Sequence, residues 1–85
     1  MIVSVIGLGY IGLPIAAIIA SHGVKVIGVD VDLVTVNTIN QGKAHIIEHD
    51  LDSLVKSSVE SGNFVATNKP QKSDAFISQN TLPRR

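Results

Sequence analysis

Three closely spaced glycines near the start of the chain have the spacing that a phosphate-binding loop requires. Gly7, Gly9 and Gly12 form the pattern G-x-G-x-x-G. In such a loop the first glycine permits a tight turn, the second lets a pyrophosphate approach the backbone, and the third allows close packing of a helix on a strand. If a helix begins at this turn, the amides of Tyr10 and Ile11 lie at its N-terminus, where the helix dipole favours a diphosphate. We therefore expect these five residues to bind a dinucleotide.

One acidic residue further along the chain has the position expected for a contact with ribose. Asp30 lies 18 residues beyond Gly12, at the end of the next apolar segment. Its carboxylate would accept hydrogen bonds from the adenosine ribose and repel a 2′-phosphate, for which the neighbouring Val31 offers no cation. These residues favour NAD over NADP. Two alternatives stay open: the ligand is FAD, whose ADP half uses the same motif, or Asp30 only caps the next helix, which Asp32 could also do.

The residues around the motif predict the elements that position it. Residues 2–6 are a short β-branched run, typical of a strand that is buried on both faces. Residues 11–20 are almost all apolar and too many for a typical strand, so they predict a helix that opens near Tyr10 or Ile11. Residues 24–29 predict a second strand. The order of strand, helix and strand is that of a βαβ unit with parallel strands.

Two further helices are predicted before the third strand. Asp32 is a candidate N-cap for the first, which Gly42 closes, and after a loop at residues 43–49 Asp50 is a candidate N-cap for the second, which ends at Gly62. The predicted buried positions are Leu33, Val36 and Ile39 or Asn40 on the first helix, and Leu51, Leu54, Val55, Ser58 and Val59 on the second.

The end of the sequence predicts two more strands and a tail. Residues 64–67 indicate a third strand, residues 68–73 a polar loop, and residues 74–77 a fourth strand that gives way to a polar stretch at residues 78–85. The predicted fold class is α/β, a partial Rossmann (doubly wound) fold with a parallel sheet of three to four strands and flanking helices. We expect one domain over residues 1–77, followed by a divergent tail.

Composition excludes several classes of function. The 85 residues carry seven basic and seven acidic side chains, so no broad basic field favours a nucleic acid or an anionic membrane. No cysteine is present, and the spacing of His22, His45 and His49 matches no pattern of metal ligands. The apolar start lacks the basic region of a signal peptide, and no apolar stretch is long enough for a membrane span. We expect a cytoplasmic chain without a metal site.

The sequence resembles the N-terminal part of the UDP-sugar dehydrogenases and, within that family, the branch that acts on UDP-N-acetyl-D-mannosamine. The matching segments are VIGLGYIGLP at 5–14, VIGVD at 26–30, TINQG at 38–42 and IIE at 46–48. The resemblance implies that Tyr10, Ile11 and Asp30 contact NAD. It also implies that the full-length parent, which would bind the UDP-sugar, uses NAD twice to oxidise the C6 alcohol to a carboxylate for cell-surface polysaccharides.

Departures from the family pattern limit what the chain itself is expected to do. Glu48 is followed by His49 where the family has proline, and Leu82 stands where the family has a cofactor-facing threonine, with Thr81 one position away. This loss of similarity at residues 78–85 suggests a truncated product, as a frameshift would give. The family's mechanism needs a cysteine to hold the aldehyde as a thiohemiacetal, so we expect no catalysis by these residues alone.

Two other functions remain open at this point. The chain would be a non-enzymatic NAD-binding or interaction module derived from such an enzyme, pairing its sheet edge with a partner. Alternatively, it would belong to an unrelated dehydrogenase, for example one acting on 3-hydroxy acids, that shares only the glycine turn. The similarity around Glu48 argues against the second possibility.

Overall fold

The computed structural model describes residues 1–46, 48 and 50–78 and confirms the predicted alternation of strands and helices. The predicted boundaries agree with the observed ones to within about two residues. The elements are β1 (Ile2–Ile6), α1 (Gly12–Ser21), β2 (Lys25–Val29), α2 (Leu33–Asn40), α3 (Leu51–Glu60), β3 (Phe64–Thr67) and β4 (Ala75–Ser78).

The strands form one parallel sheet in the order β3-β2-β1-β4. In the centre of the sheet, Ile6 at the end of β1 is paired with Val29 at the end of β2. The loops that follow these two strands therefore leave the same edge of the sheet side by side. This arrangement confirms the predicted partial Rossmann fold and brings the glycine motif next to Asp30.

The hydrophobic core lies between the three helices and one face of the sheet. Alternate strand residues point toward the helices, because successive side chains of a strand lie on opposite faces. Helix α1 contributes its small residues, which allow it to lie close to the strands. The core includes Val3, Val5, Val26, Phe64 and Ala66 from the strands, and Leu13, Ala16, Ala17, Ala20, Val36, Ile39, Leu51 and Val55 from the helices.

Two predictions about the helices were wrong in detail. Leu33 is 55% exposed, because the buried face of α2 consists of Thr35, Val36 and Ile39, and Leu33 lies outside it in the first turn. Asp50 precedes α3 as predicted, but its side chain makes no capping hydrogen bond with the helix. Its φ of 63° places the backbone in the left-handed region, whereas a residue whose side chain caps a helix typically has an extended backbone.

The predicted tail falls mostly outside the described residues. Ser78, its first residue, is the last residue of β4 and is paired with Ile6. Thr81 and Leu82, at which the sequence departs from the family pattern, lie outside the described part, as does His49. Among the described residues, no helix has the length and apolar character to cross a membrane.

Candidate dinucleotide-binding site

The glycine loop turns sharply at the end of β1. Gly7 has a φ of 88°, a conformation that only glycine adopts without strain, and its amide donates to the Val29 carbonyl at 2.7 Å. Gly12, at the start of α1, lies against this turn, and a Cβ atom added to it would lie 1.7 Å from the Gly7 carbonyl oxygen. The two glycines thus let α1 begin directly on the end of β1, in agreement with the roles predicted for them.

Helix α1 points unpaired backbone amides at the same edge of the sheet. The Leu13 amide donates to the Gly9 carbonyl at 3.1 Å, and Pro14 has no amide hydrogen. Within the described residues, no protein group accepts from the amides of Tyr10, Ile11 and Gly12, and the first turn of α1 contains no acidic side chain. The positive end of the helix dipole is thus left for an external anion such as a diphosphate.

Asp30 is held in place by three hydrogen bonds to the backbone around it. Its Oδ2 atom accepts from the Leu8 amide at 2.9 Å, and its Oδ1 atom accepts from the Asp32 amide at 2.9 Å. Its own amide donates to the Thr67 carbonyl at 3.0 Å. A carboxylate has about four acceptor positions. Two of these therefore remain for the paired hydroxyls of a ribose.

The alternative that Asp30 caps α2 is wrong, because Asp32 performs that function. One oxygen of Asp32 accepts from the Val34 amide at 3.0 Å, and the other accepts from the Thr35 hydroxyl at 3.2 Å. Near the start of α2, Asp30 accepts only from the amide of Asp32, the residue that supplies the cap. Its carboxylate instead joins the glycine loop, through Leu8, to the segment that follows β2.

A shallow cleft lies between these two segments. It has a volume of about 240 Å³ and is lined by Ile6, Gly7, Val29, Asp30 and Val31. Apolar side chains are exposed where the two strands end, including Val31 at 91% of its surface. Tyr10 and Ile11, in the glycine loop, are 79% and 51% exposed. Such a combination of apolar walls and a few oriented polar groups is typical of cofactor sites.

Leu8 anchors the glycine loop, a role that the sequence pattern did not predict. Its side chain is completely buried, and it lies over Gly28 of β2. A Cβ atom at Gly28 would approach both Leu8 and Phe64 to 2.9 Å, so the absence of a side chain there makes room for Leu8. The alternating glycine and apolar residues of the loop give no signal of which residue points into the core.

The histidines of the described part do not come together to form a metal site. The His22 ring nitrogen Nδ1 lies 2.8 Å from the Ile18 carbonyl oxygen at the end of α1, which is the far end of this helix from the glycine loop. His45 is exposed in the loop before α3. Among the described residues, no group of three or more His, Cys, Asp or Glu side chains is placed to hold a metal ion.

Comparison with known proteins identifies the family. Residues 1–84 match the model of the NAD-binding domain of the UDP-glucose/GDP-mannose dehydrogenase family. The chain belongs to this family. As a member of the UDP-glucose/GDP-mannose dehydrogenases it corresponds to their NAD-binding domain, which confirms the resemblance, the fold and the cofactor. The alternatives of FAD and of an unrelated dehydrogenase are therefore wrong.

The relatives that this chain matches are named for different sugar substrates. The chain is 60% identical over 75 residues to a UDP-N-acetyl-D-mannosamine dehydrogenase of Yersinia pestis, which covers 88% of this chain and 18% of that protein. It is 51% identical, with the same coverage, to an NDP-N-acetyl-D-galactosaminuronic acid dehydrogenase of Ralstonia solanacearum. The chain thus spans about a fifth of the length of these relatives.

Solved structures agree with this assignment. The UDP-N-acetyl-mannosamine dehydrogenase of Staphylococcus aureus superimposes with a TM-score of 0.88 at 37% identity, covering 92% of this chain and 19% of that one. The UDP-D-ManNAc dehydrogenase of Pyrococcus horikoshii gives a TM-score of 0.87 at 40% identity, with the same coverage. The contacts that Gly7, Gly9, Tyr10, Ile11, Gly12 and Asp30 make with NAD remain predictions.

Proposed function

We propose that this chain binds NAD through two groups that lie at the carboxyl ends of its central strands. The pyrophosphate lies against the amides of Tyr10, Ile11 and Gly12, and the adenosine ribose bonds to the carboxylate of Asp30. Gly7 and Gly9 complete the loop by leaving the backbone accessible. The observation that carries the proposal is the hydrogen bond of 2.9 Å from the Leu8 amide to Asp30, because it fixes the anion-binding loop and the ribose-binding carboxylate relative to each other.

The proposal includes the reaction to which this NAD site contributes. In the longer protein, this site would hold the NAD that takes hydride from the C6 carbon of UDP-N-acetyl-D-mannosamine. One NAD would take the alcohol to the aldehyde level, and a second, bound after the first NADH leaves, would take the aldehyde level with water to the uronate. The names of the relatives support this substrate. Because some relatives are named for N-acetyl-D-galactosaminuronic acid, oxidation of a different amino sugar by the longer protein would replace this substrate in the proposal. We also propose a cytoplasmic location, which cell fractionation would test.

Binding without catalysis is the function we expect of the 85 residues by themselves. They contain no cysteine, so a thiohemiacetal cannot form on them. The same observation favours the second candidate function, a non-enzymatic NAD-binding module. An assay for NADH formation from UDP-N-acetyl-D-mannosamine would distinguish the chain from a complete enzyme, because only the latter would give a signal.

Calorimetric titration with NAD tests the binding site. We expect the native chain to bind, Gly9→Val to lose binding, and Asp30→Ala to bind at least about tenfold more weakly, since a hydrogen bond to a charged group contributes about 1.5–3 kcal/mol. Asp74→Ala is the matched control. Asp74 also accepts a backbone amide, from Ile2 at 2.7 Å. It lies where β4 begins, at the amino ends of the strands, whereas the proposed site lies at their carboxyl ends.

The controls decide between a site and a general effect on folding. Unchanged affinity in Asp74→Ala, together with weaker binding in Asp30→Ala, would support the proposal. Equal losses in both variants would show that the affinity follows the stability of the fold. A folded native chain that does not bind NAD would overturn the proposed site.

A further inference from the structure

The side chain at the end of α2 makes two hydrogen bonds to the backbone of the edge strand. The Asn40 amide group donates to the Ala66 carbonyl at 2.9 Å, and its carbonyl oxygen accepts from the Ala66 amide at 2.8 Å. Asn40 and Ala66 are 26 residues apart in the sequence. The carboxamide therefore presents to β3 the same donor and acceptor that one residue of an antiparallel neighbouring strand would present.

The register of the sheet explains why Ala66 needs such a partner. The carbonyl groups of Asn63 and Thr67 accept from the amides of Val26 in β2 and of Asp30, the residue that follows β2. Because the backbone groups of a parallel strand alternate in direction, those of Ala66 point away from β2. Strand β3 lies at the edge of the described sheet, where these groups have no strand beside them. Asn40 takes the place of the missing strand at this one residue.

The contact between Asn40 and Ala66 lies next to the residue that bonds to Asp30, the proposed ribose ligand. Thr67, next to Ala66, accepts the amide of Asp30 at 3.0 Å, and Asp30 in turn accepts the amide of Leu8 at 2.9 Å. The end of β3 is thus fixed on its outer side by Asn40 and on its inner side by Asp30. Movement of this strand end would move the backbone from which the Asp30 carboxylate extends.

We infer that Asn40 is a positioning residue for NAD binding. Its carboxamide holds the end of β3 at Ala66, and through Thr67 it fixes the lateral position of Asp30. This inference rests on the proposed function, because it assigns the effect of Asn40 to the ribose contact. It is distinct from a role in guarding the sheet edge, which would affect self-association and leave the affinity for NAD unchanged.

The test is a double-mutant cycle measured by calorimetric titration with NAD on the full chain. We expect Asn40→Ala to raise the Kd by on the order of fivefold, which is part of the effect of losing the two hydrogen bonds to Ala66. In the Asp30→Ala background the same substitution would change the Kd by less than about twofold, because the contact through which it acts is already gone. Asn37→Ala is the matched control, since Asn37 is an exposed asparagine on the same helix.

A second variant and a second measurement cover the case in which Asn40→Ala does not fold. Asn40→Asp keeps the size of the side chain and the acceptor for the Ala66 amide, but places an oxygen against the Ala66 carbonyl. We expect it to raise the Kd as well. Repulsion between the new oxygen and the Ala66 carbonyl should push the side chain off β3, so amide hydrogen exchange should be faster at Ala66 and Asp30 in this variant and unchanged in β1.

Each result supports or overturns the inference. An equal change in Kd in the presence and absence of Asp30 would show that Asn40 affects stability alone. Self-association of Asn40→Ala with an unchanged Kd for the monomer would make it an edge guard and overturn the inference. If the native chain binds NAD and Asp30→Ala weakens binding while Asn40→Ala does not, the proposed function stands and the inference fails. If the native chain does not bind NAD, both fail.

Discussion

Replacement of Gly12 by alanine should disrupt the junction between β1 and α1 more than the same replacement at Gly23 or Gly28. The added Cβ atom would lie 1.7 Å from the Gly7 carbonyl oxygen, whereas ordinary contacts begin at 3.4 Å. The Gly7 oxygen is a backbone atom and the position of a Cβ atom is fixed by its own backbone, so no side-chain rotation can relieve the overlap. The start of α1 must move away from the end of β1, and the amides proposed to bind the pyrophosphate move with it.

The other two glycines set the scale for the size of this effect. At Gly28 the added Cβ would meet the side chains of Leu8 and Phe64 at 2.9 Å, and side chains can shift, so we expect a loss of about 1–3 kcal/mol. At Gly23 nothing lies within 4 Å, and the only cost is that of a left-handed alanine, about 1–2 kcal/mol. For Gly12→Ala we expect a loss above about 3 kcal/mol. A domain of this size is stabilised by roughly 4–13 kcal/mol in total.

Chemical denaturation of the three variants, with NAD titration of those that fold, would check this order. Gly23→Ala should keep its affinity for NAD, because it changes the opposite end of α1. Gly12→Ala should lose both stability and binding. A Gly12→Ala variant as stable as Gly23→Ala would refute the reasoning, since it would mean that the junction can accept a side chain without rearrangement.

Two further predictions concern the residues that anchor Asp30 and α2. Leu8→Ala removes a fully buried side chain and should cost about 2–5 kcal/mol by thermal or urea unfolding, while Leu8→Met should cost less than about 1.5 kcal/mol. A loss below that of the methionine variant would contradict the anchoring role of Leu8. Asp32→Ala removes the α2 cap and should cost about 1 kcal/mol, with an NAD affinity within about twofold of the native value, and Asp32→Asn should recover most of the stability. A large loss of affinity in Asp32→Ala would place Asp32 in the site.

Much of the site could be predicted because local sequence determines it. The glycine spacing defines a turn, the short β-branched runs define two strands, and the acidic residue follows the second strand directly. Parallel pairing of those strands is then enough to bring Asp30 beside the loop. Each of these steps depends on residues that are close together in the sequence, and the structure confirms the resulting fold.

The remaining features depend on contacts between distant segments. The two bonds of Asn40 form only after α2 is packed beside β3, so an asparagine at a helix end gives no sign of them. Leu33 has the spacing of a buried residue, but the position of β3 selects Thr35, Val36 and Ile39 instead.

Chemical-shift mapping on the nitrogen-15-labelled chain during titration with NAD tests the central claim most directly. The account predicts that the largest saturable changes occur at the amides of Tyr10, Ile11 and Gly12 and at Asp30. Gly62, at the opposite end of the sheet, should change little. Changes centred on the far ends of the helices, or no changes in a folded chain, would contradict the claim that the glycine loop and Asp30 form the NAD site.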